Sequence, residues 1–286
     1  MKRIFSLLSL LIIFALAACG GGSNSGDSNE GTSENNSENT EETIVVGASS
    51  VPHSEILEEA KPLLEEEGII LEIEPYEDYV FPNDDLASGD LDANYFQHIP
   101  YLENTIEDTG YDLDYIDGIH VEPMGVYSQS ITSIDEIPEG TEVILSNSVA
   151  EHGRILTLFE QNGLITLDED VKKSAATLED IVENPKELEF SADVLPEILP
   201  EIYLSEEDAL VVINTNYALG ADLNPLEDAL FIEGSESEYV NVIAVRSEDT
   251  ENEALQTLVD VLQSEEIQNF ILEKYEGAVV PVGGNN

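Results

Sequence analysis

Short β-branched runs alternate with stretches of helical spacing along most of this chain. Thr43-Ile44-Val45-Val46-Gly47-Ala48 reads as a buried first strand closed by glycine. Ile56, Leu57, Ala60, Leu63 and Leu64 then mark one face of a helix ending at Gly68, with Ser54 as its cap and Pro62 as an expected kink. Ile69 to Ile73 alternates apolar and acidic residues and feeds into Tyr76–Tyr79, which completes the strand–helix–strand unit of a parallel sheet. The pattern restarts downstream. Met124–Tyr127, Glu142–Leu145, Ala209–Ile213 and Val240–Val245 read as strands, while Glu151–Gln161, Leu178–Glu183 and Ala254–Lys274 carry helical spacing. Tyr203–Glu207 and Gly234–Glu238 read as polar connectors, and the long terminal helix can return the chain to the first half. The pattern predicts two α/β halves, with no fixed-period repeat and no coiled-coil heptad.

The first eighteen residues have a different character. Lys2 and Arg3 precede an apolar run from Ile4 to Ala15, which ends in Leu16-Ala17-Ala18-Cys19-Gly20. That run is short of the roughly 20 apolar residues that a spanning helix needs, so it reads as an export signal. The small residues before Cys19 resemble the bacterial lipobox, in which the cysteine thiol is lipidated and becomes the first residue of the mature chain. From Gly20 to about Glu42 almost nothing is apolar, so burial cannot offset the entropy of ordering, and the segment reads as a tether.

Cys19 is the only cysteine, so the exported chain forms no internal disulfide, and lipidation leaves no thiol for catalysis or metal binding. With 9 Lys+Arg against 62 Asp+Glu the formal net charge is −53. Such a surface repels phosphates and anionic lipid heads, which argues against nucleic-acid binding. An acidic face is ordinarily a solvated face; the excess here is the kind that suits a salty or alkaline habitat, where counterions screen self-repulsion.

Enzymatic signatures are absent: there is no phosphate-binding Gly-x-x-x-x-Gly-Lys loop, no His-Glu-x-x-His, no Gly-x-Gly-x-x-Gly and no Gly-x-Ser-x-Gly elbow. His53, His98, His120 and His152 lie apart in sequence, and convergence in space would make a metal-capturing protein for zinc or manganese. Arginine is scarce, with only Arg154 and Arg246 beyond the export signal. Arg154 falls one turn into a predicted helix, where a guanidinium and free helix-start N–H groups together suit a carboxylate; pairing with a local acid is the alternative. Asp92 to Tyr101 holds four ring side chains in ten positions, including Phe96, His98 and Tyr101, and with Tyr79 they form either core or a half-open apolar pocket. Asn214-Thr215-Asn216 directly follows an apolar strand, the place where α/β sheets bind ligands, though a turn stabilised by asparagine reads equally well.

Six ordered motifs carry a family resemblance. Pro52-His53-Ser54-Glu55-Ile56, Tyr79-Val80-Phe81-Pro82-Asn83, Leu91 to His98, Gly153-Arg154, Asp180 to Lys186 and Asn214-Thr215-Asn216-Tyr217-Ala218 resemble the methionine-binding lipoproteins, the NlpA/MetQ family of ABC-transporter substrate-binding proteins. The resemblance implies a two-lobed periplasmic-binding-protein fold of type II, closing on L- or D-methionine in an interlobe cleft. It also implies docking on a membrane permease driven by a separate ATPase, with no cofactor and no covalent chemistry. By the same resemblance Arg154 binds the ligand carboxylate, Asn216 and Asn241 hold its ammonium and carboxylate ends, and Tyr79, Phe96, His98 and Tyr101 line the thioether pocket. The residues from Asn147 to His152 depart from the family's usual Asn-Asp-Pro-Thr-Asn-Glu, which leaves room for a short methionyl peptide as the alternative ligand. The expected organisation is a signal at 1–18, a tether at 19–42, a first lobe at 43–122 and 250–286, and a second lobe at 123–249.

Overall fold

The computed structural model describes residues 41–234 and 237–284. The expected export signal, Cys19 and the tether as far as residue 40 lie outside the described residues. The first strand, β1 (Glu42–Ser49), begins at the residue expected to end the tether.

Two central sheets organise the chain. The first half contributes β1, β2 (Ile69–Tyr76), β3 (Ala93–Tyr95) and β4 (Leu113–Val121), with helices α1 (Glu55–Glu66), α2 (Phe81–Ser88) and α3 (Ile99–Thr109) between them. The middle supplies β5 (Gly125–Tyr127), β6 (Glu142–Ser146), α4 (Val149–Gln161), β7 (Thr166–Leu167), β8 (Ile181–Glu183), β9 (Glu189–Val194) and α5 (Leu199–Ser205). There follow β10 (Leu210–Ile213), α6 (Thr215–Gly220), α7 (Pro225–Asp228) and β11 (Phe231–Ile232). The chain ends in β12 (Val240–Arg246), α8 (Glu253–Leu262), α9 (Glu265–Tyr275) and β13 (Val280–Pro281).

The larger sheet has the order β13-β4-β12-β3-β1-β2 and the smaller β11-β5-β10-β6-β9, while β7 and β8 form a separate pair. In the larger sheet β1 runs parallel to β2 and β3, whereas β12 is antiparallel to β3 and β4. In the smaller one β6 runs parallel to β10 and β9, and β5 is antiparallel to β10. This is the mixed α/β, two-lobed type II architecture.

Alternation along β1 builds the larger lobe. Ile44, Val46 and Ala48 face a core formed by Ile56, Leu57 and Leu64 of α1 with Leu255, Leu258 and Ile271 of the last two helices. Val45 turns to the opposite face, against Leu86, Leu102 and Val242. The smaller sheet is likewise covered on both sides, by Ile155 and Phe159 of α4 and by Leu199 and Ala218 of α5 and α6.

Several elements differ from their sequence expectations. Val240–Arg246 belongs to the larger sheet, so the chain returns from the smaller lobe before Val240 and not near residue 249. Six residues of β12 pair with β4 on one edge and Ala244 pairs with Asn94 of β3 on the other, which determines that membership. The expected helix over Leu178–Glu183 is a single turn, fixed by a Thr177–Asp180 capping box, followed by strand β8 on β7. The terminal helix is two helices, because the Ser264 hydroxyl caps α9 and Gln263 instead donates to the Gly118 carbonyl. Helix α1 continues through Pro62, held by its buried face. Ser54 does not cap it; its hydroxyl donates to the Ser49 carbonyl, 2.9 Å away. The connector expected from Tyr203 starts inside α5.

Candidate functional site: a cavity between the lobes

The chain crosses between the sheets twice, through Glu122–Met124 and between β11 and β12. Above these crossings lies a small cavity lined from both lobes. The larger lobe contributes Tyr79, Phe96, Gln97, His98, Tyr101 and Asn241 to its wall; the smaller contributes Glu151, Arg154, Asn214, Thr215 and Asn216; and Glu122 comes from the first crossing. All seven residues singled out in the sequence therefore line one cavity.

Strand ends explain the convergence. Phe96, Gln97 and His98 follow β3 directly, and Asn214 to Asn216 follow β10, so each group emerges at the carboxyl end of a parallel strand. Thr215 fixes the latter turn by donating its hydroxyl to the Pro123 carbonyl at 2.6 Å. The rings of Tyr79, Phe96 and Tyr101 stand with centroids 5.8–6.0 Å apart in tilted and edge-on contacts, forming an aromatic wall.

Polar groups tie the lobes together around this wall. Tyr79 donates its hydroxyl to Asn216 Oδ1 at 2.6 Å, and Tyr217, whose ring lies 5.0 Å from that of Tyr79, donates to the Glu77 carbonyl. His98 accepts the Tyr101 amide at Nδ1, which leaves the ring proton on Nε2 to be donated to Glu151 Oε1 at 2.5 Å. The structure thus uses His98 as an interlobe bridge as well as a wall residue.

Arg154 is buried and held on three sides. Its Nε and Nη2 both donate to Glu233 Oε2, at 3.0 and 2.6 Å, Nη2 also donates to the Glu122 carbonyl, and the Tyr239 ring lies 4.6 Å from the guanidinium carbon. Arg154 thus pairs with acids and also borders the cavity. Its Nη1 lies 3.6 Å from Glu151 Oε2, beyond hydrogen-bonding distance, and that buried oxygen has no hydrogen-bond partner among the described residues. The helix-start amides expected to share a carboxylate with Arg154 are elsewhere. Asn147 to Ala150 border a separate outer groove with Val80 and Asn104.

Electrostatics keep the wall's charges in place. Burial pushes the Glu151 carboxyl up, but the facing His98 and Arg154 outweigh it and bring it down to about 2. Burial raises Glu122, against the pull of His53 and Arg154, and raises the Tyr79 phenol well above its usual range. Burial lowers Arg154, yet Glu233 and Glu151 together raise it, so the guanidinium stays charged.

The four histidines do not gather. His53 and His120 meet at Glu122, His98 is bonded to Glu151, and His152 meets the Ser146 carbonyl through Nε2. Glu122, Glu151, Glu233 and Tyr239 were not singled out in the sequence. Three of them are carboxylates among 62, and only the fold shows which acids it draws inward, Glu122 and Glu151 fully and Glu233 in part.

The sequence profile of the NlpA lipoprotein family matches residues 44–283. The chain belongs to the NlpA lipoprotein family. Members of this family are non-enzymatic substrate-binding lipoproteins. The chain is 44% identical over 286 residues to the methionine-binding lipoprotein MetQ of Bacillus subtilis, covering 99% of both proteins. A crystal structure of a pheromone cOB1 precursor/lipoprotein of the YaeC family from Enterococcus faecalis is 48% identical, with a TM-score of 0.82 over 84% of this chain and 100% of that one. A nutrient-binding protein from Burkholderia cenocepacia, solved with methionine bound, is 37% identical with a TM-score of 0.79, over 84% of this chain and 100% of the other.

Proposed function

We propose that this NlpA-family lipoprotein binds methionine, as the L or D form, in the interlobe cavity and delivers it to the permease of an ABC importer powered by a separate ATPase. The single observation that carries this reading is the pairing of Arg154 Nη1 with the orphaned Glu151 Oε2, 3.6 Å apart, beside the rings of Tyr79, Phe96 and Tyr101. A zwitterion brings a carboxylate for the first group and an ammonium for the second, and an unbranched thioether fits a polarisable aromatic wall. Its charged groups replace water around these donors and acceptors as the cleft closes.

In this reading Arg154 holds the carboxylate, Asn216 and Asn241 orient the two charged ends, and Tyr79, Phe96, His98 and Tyr101 enclose the thioether. Glu151 and Glu122 supply the negative field for the ammonium. The lobes run through 41–122 with 239–284 and through 123–234, and Cys19 is lipidated, tethering the body on the extracytoplasmic face of the membrane. The His98–Glu151 and Tyr79–Asn216 bonds then form as the lobes close, giving the permease a closed shape to recognise.

Mass spectrometry of the small molecules released when the purified protein is denatured tests this directly. Methionine near one equivalent is the expected result; another amino acid, or a methionyl peptide in its place, would count against the ligand assignment.

A further inference from the structure

Beneath the cavity floor, at the first crossing between lobes, lies a second polar cluster with a different chemistry. His53, in the turn between β1 and α1, and His120, near the end of β4, direct Nε2 at the same oxygen of Glu122, at 3.1 and 2.8 Å. The three residues are 1, 0 and 6% exposed, so solvent does not fill the space between them. One ligand atom from each lies within 4.8 Å of the other two. Asn241 Oδ1 is 3.1 Å from His53 Nε2, and the Tyr95 hydroxyl is 2.5 Å from His120 Nδ1.

We propose that His53, His120 and Glu122 form a binding site for a divalent transition-metal cation of the zinc class, separate from the amino-acid contacts of Arg154. Bonds of about 2.0–2.2 Å in a tetrahedral site place the ligand atoms roughly 3.3 Å apart. The two nitrogen–oxygen separations are a few tenths of an ångström short of that, so small side-chain rotations open the site. Two imidazoles and one carboxylate suit zinc and its neighbours, whereas magnesium and calcium prefer sets of oxygens. Tyr95 supplies the outer partner that orients a ligating imidazole, by accepting the His120 proton once it sits on Nδ1. His53 Nδ1 is buried without a hydrogen-bond partner among the described residues, which makes His53 the weaker of the two nitrogen ligands. Glu122 and Asn241 border the cavity, giving an ion its route in and leaving the fourth coordination position facing the cleft.

This geometry belongs to the larger lobe and the crossing segment; it shares Glu122 and Asn241 with the proposed amino-acid site, while His53 and His120 lie outside the cavity wall. The test is zinc titration of the chelator-stripped protein by calorimetry in excess magnesium, which occupies the surface carboxylates. One saturable equivalent is expected, weakened at least 30-fold in His120→Gln and in His53→Gln. Binding unchanged in both variants would show that only surface carboxylates are engaged and would overturn the site. Cobalt(II) added to the unmodified protein gives a second readout that requires no variant to fold: visible absorption of tetrahedral intensity is expected, and a spectrum of octahedral intensity would also overturn it. Methionine titration in chelator reports on the amino-acid reading separately, so either proposal can fail alone.

Discussion

Arg154 and Glu233 form a forked pair in which Nε and Nη2 converge on a single carboxylate oxygen, at 3.0 and 2.6 Å. Glu233 lies just past β11, where the chain begins its second crossing, so the pair fixes the guanidinium relative to the hinge of the molecule. Only Nη1 remains to meet a ligand. Replacing Arg154 by alanine is expected to weaken amino-acid binding by about 2–5 kcal/mol, because a desolvated charged contact is lost and the buried Glu151 and half-buried Glu233 remain without it. Arg154→Lys is expected to restore little, since one ammonium cannot fork onto Glu233 while presenting a donor to the cavity. Calorimetric affinities for the two variants check this, and near-native binding by either would remove Arg154 from the carboxylate role.

Acid should loosen the hinge. Burial drives His53 down to about 4 and His120 to about 3, from 6.5 in the unfolded chain, so unfolding takes up protons first as pH falls. Their contribution is therefore full above pH 6.5 and is lost as pH drops from 6.5 toward 4 and 3. Urea unfolding at several pH values in chelator, compared with a His53→Gln/His120→Gln double variant, isolates this from protonation of the surface acids. The stability gap between the two proteins should shift in favour of the variant on acidification; a gap independent of pH contradicts the assignment.

Glu151 titrates lower. Its carboxyl lies near 2 in the folded protein against 4.5 unfolded, so its contribution is present above pH 4.5 and is lost as pH falls toward 2. Glu151→Gln keeps the shape but removes the charge that faces both His98 and Arg154, and amino-acid affinity near pH 7 should fall at least tenfold, about 1.4 kcal/mol. Unchanged affinity in a folded variant would exclude Glu151 from the ammonium subsite.

Gly153 adjoins the key arginine for a steric reason. A Cβ there would lie 2.5 Å from the Lys173 carbonyl oxygen and the Ser174 carbonyl carbon, both backbone atoms that cannot rotate away. Gly153→Ala is expected to cost about 1–3 kcal/mol of stability by overpacking α4 against that turn. Gly220, at the end of α6, has nothing within 4 Å of the added carbon, and Gly220→Ala should stay within about 1 kcal/mol of the parent protein. Thermal melts of the two variants side by side decide it; equal midpoints would refute the steric reading.

The strands and helices nearest the site were legible because their apolar residues repeat at clear periods. β1, β6, β10 and α4 follow from alternation or a buried stripe within two residues of the observed ends, and β2 runs three residues past the alternation that ends at Ile73. The short β3 was hidden because Ala93-Asn94-Tyr95 is buried on both faces and has no alternation to read, and Asn94 is instead bonded to Asn83 and Gln97. Membership of β12 was equally hidden, since a strand's sequence does not state which sheet it joins. At the site, scarcity made Arg154 conspicuous, and ring density did the same for Phe96, His98 and Tyr101. Glu122, Glu151 and Glu233 had no such contrast with their surroundings. Their roles depend on which few carboxylates the fold withdraws from water, a property of tertiary packing alone.

The formal charge of −53 gives a further expectation. Like charges on one body repel over distances that added salt shortens, from about 10 Å at 0.1 M to about 3 Å at 1 M. The melting temperature of the soluble body should therefore rise between these two concentrations of sodium chloride; a flat or falling midpoint would mean that the acids are not a net burden on the fold.

The claim on which the rest depends is that the cavity between Arg154 and the aromatic wall holds methionine. Titration calorimetry of the ligand-stripped soluble body with L- and D-methionine, in metal-free buffer with chelator, tests it most directly. The account predicts saturable one-to-one heat for at least one enantiomer, weakened by about 2–5 kcal/mol in Arg154→Ala. No heat from either enantiomer, in protein that is folded and stripped of ligand, would contradict it.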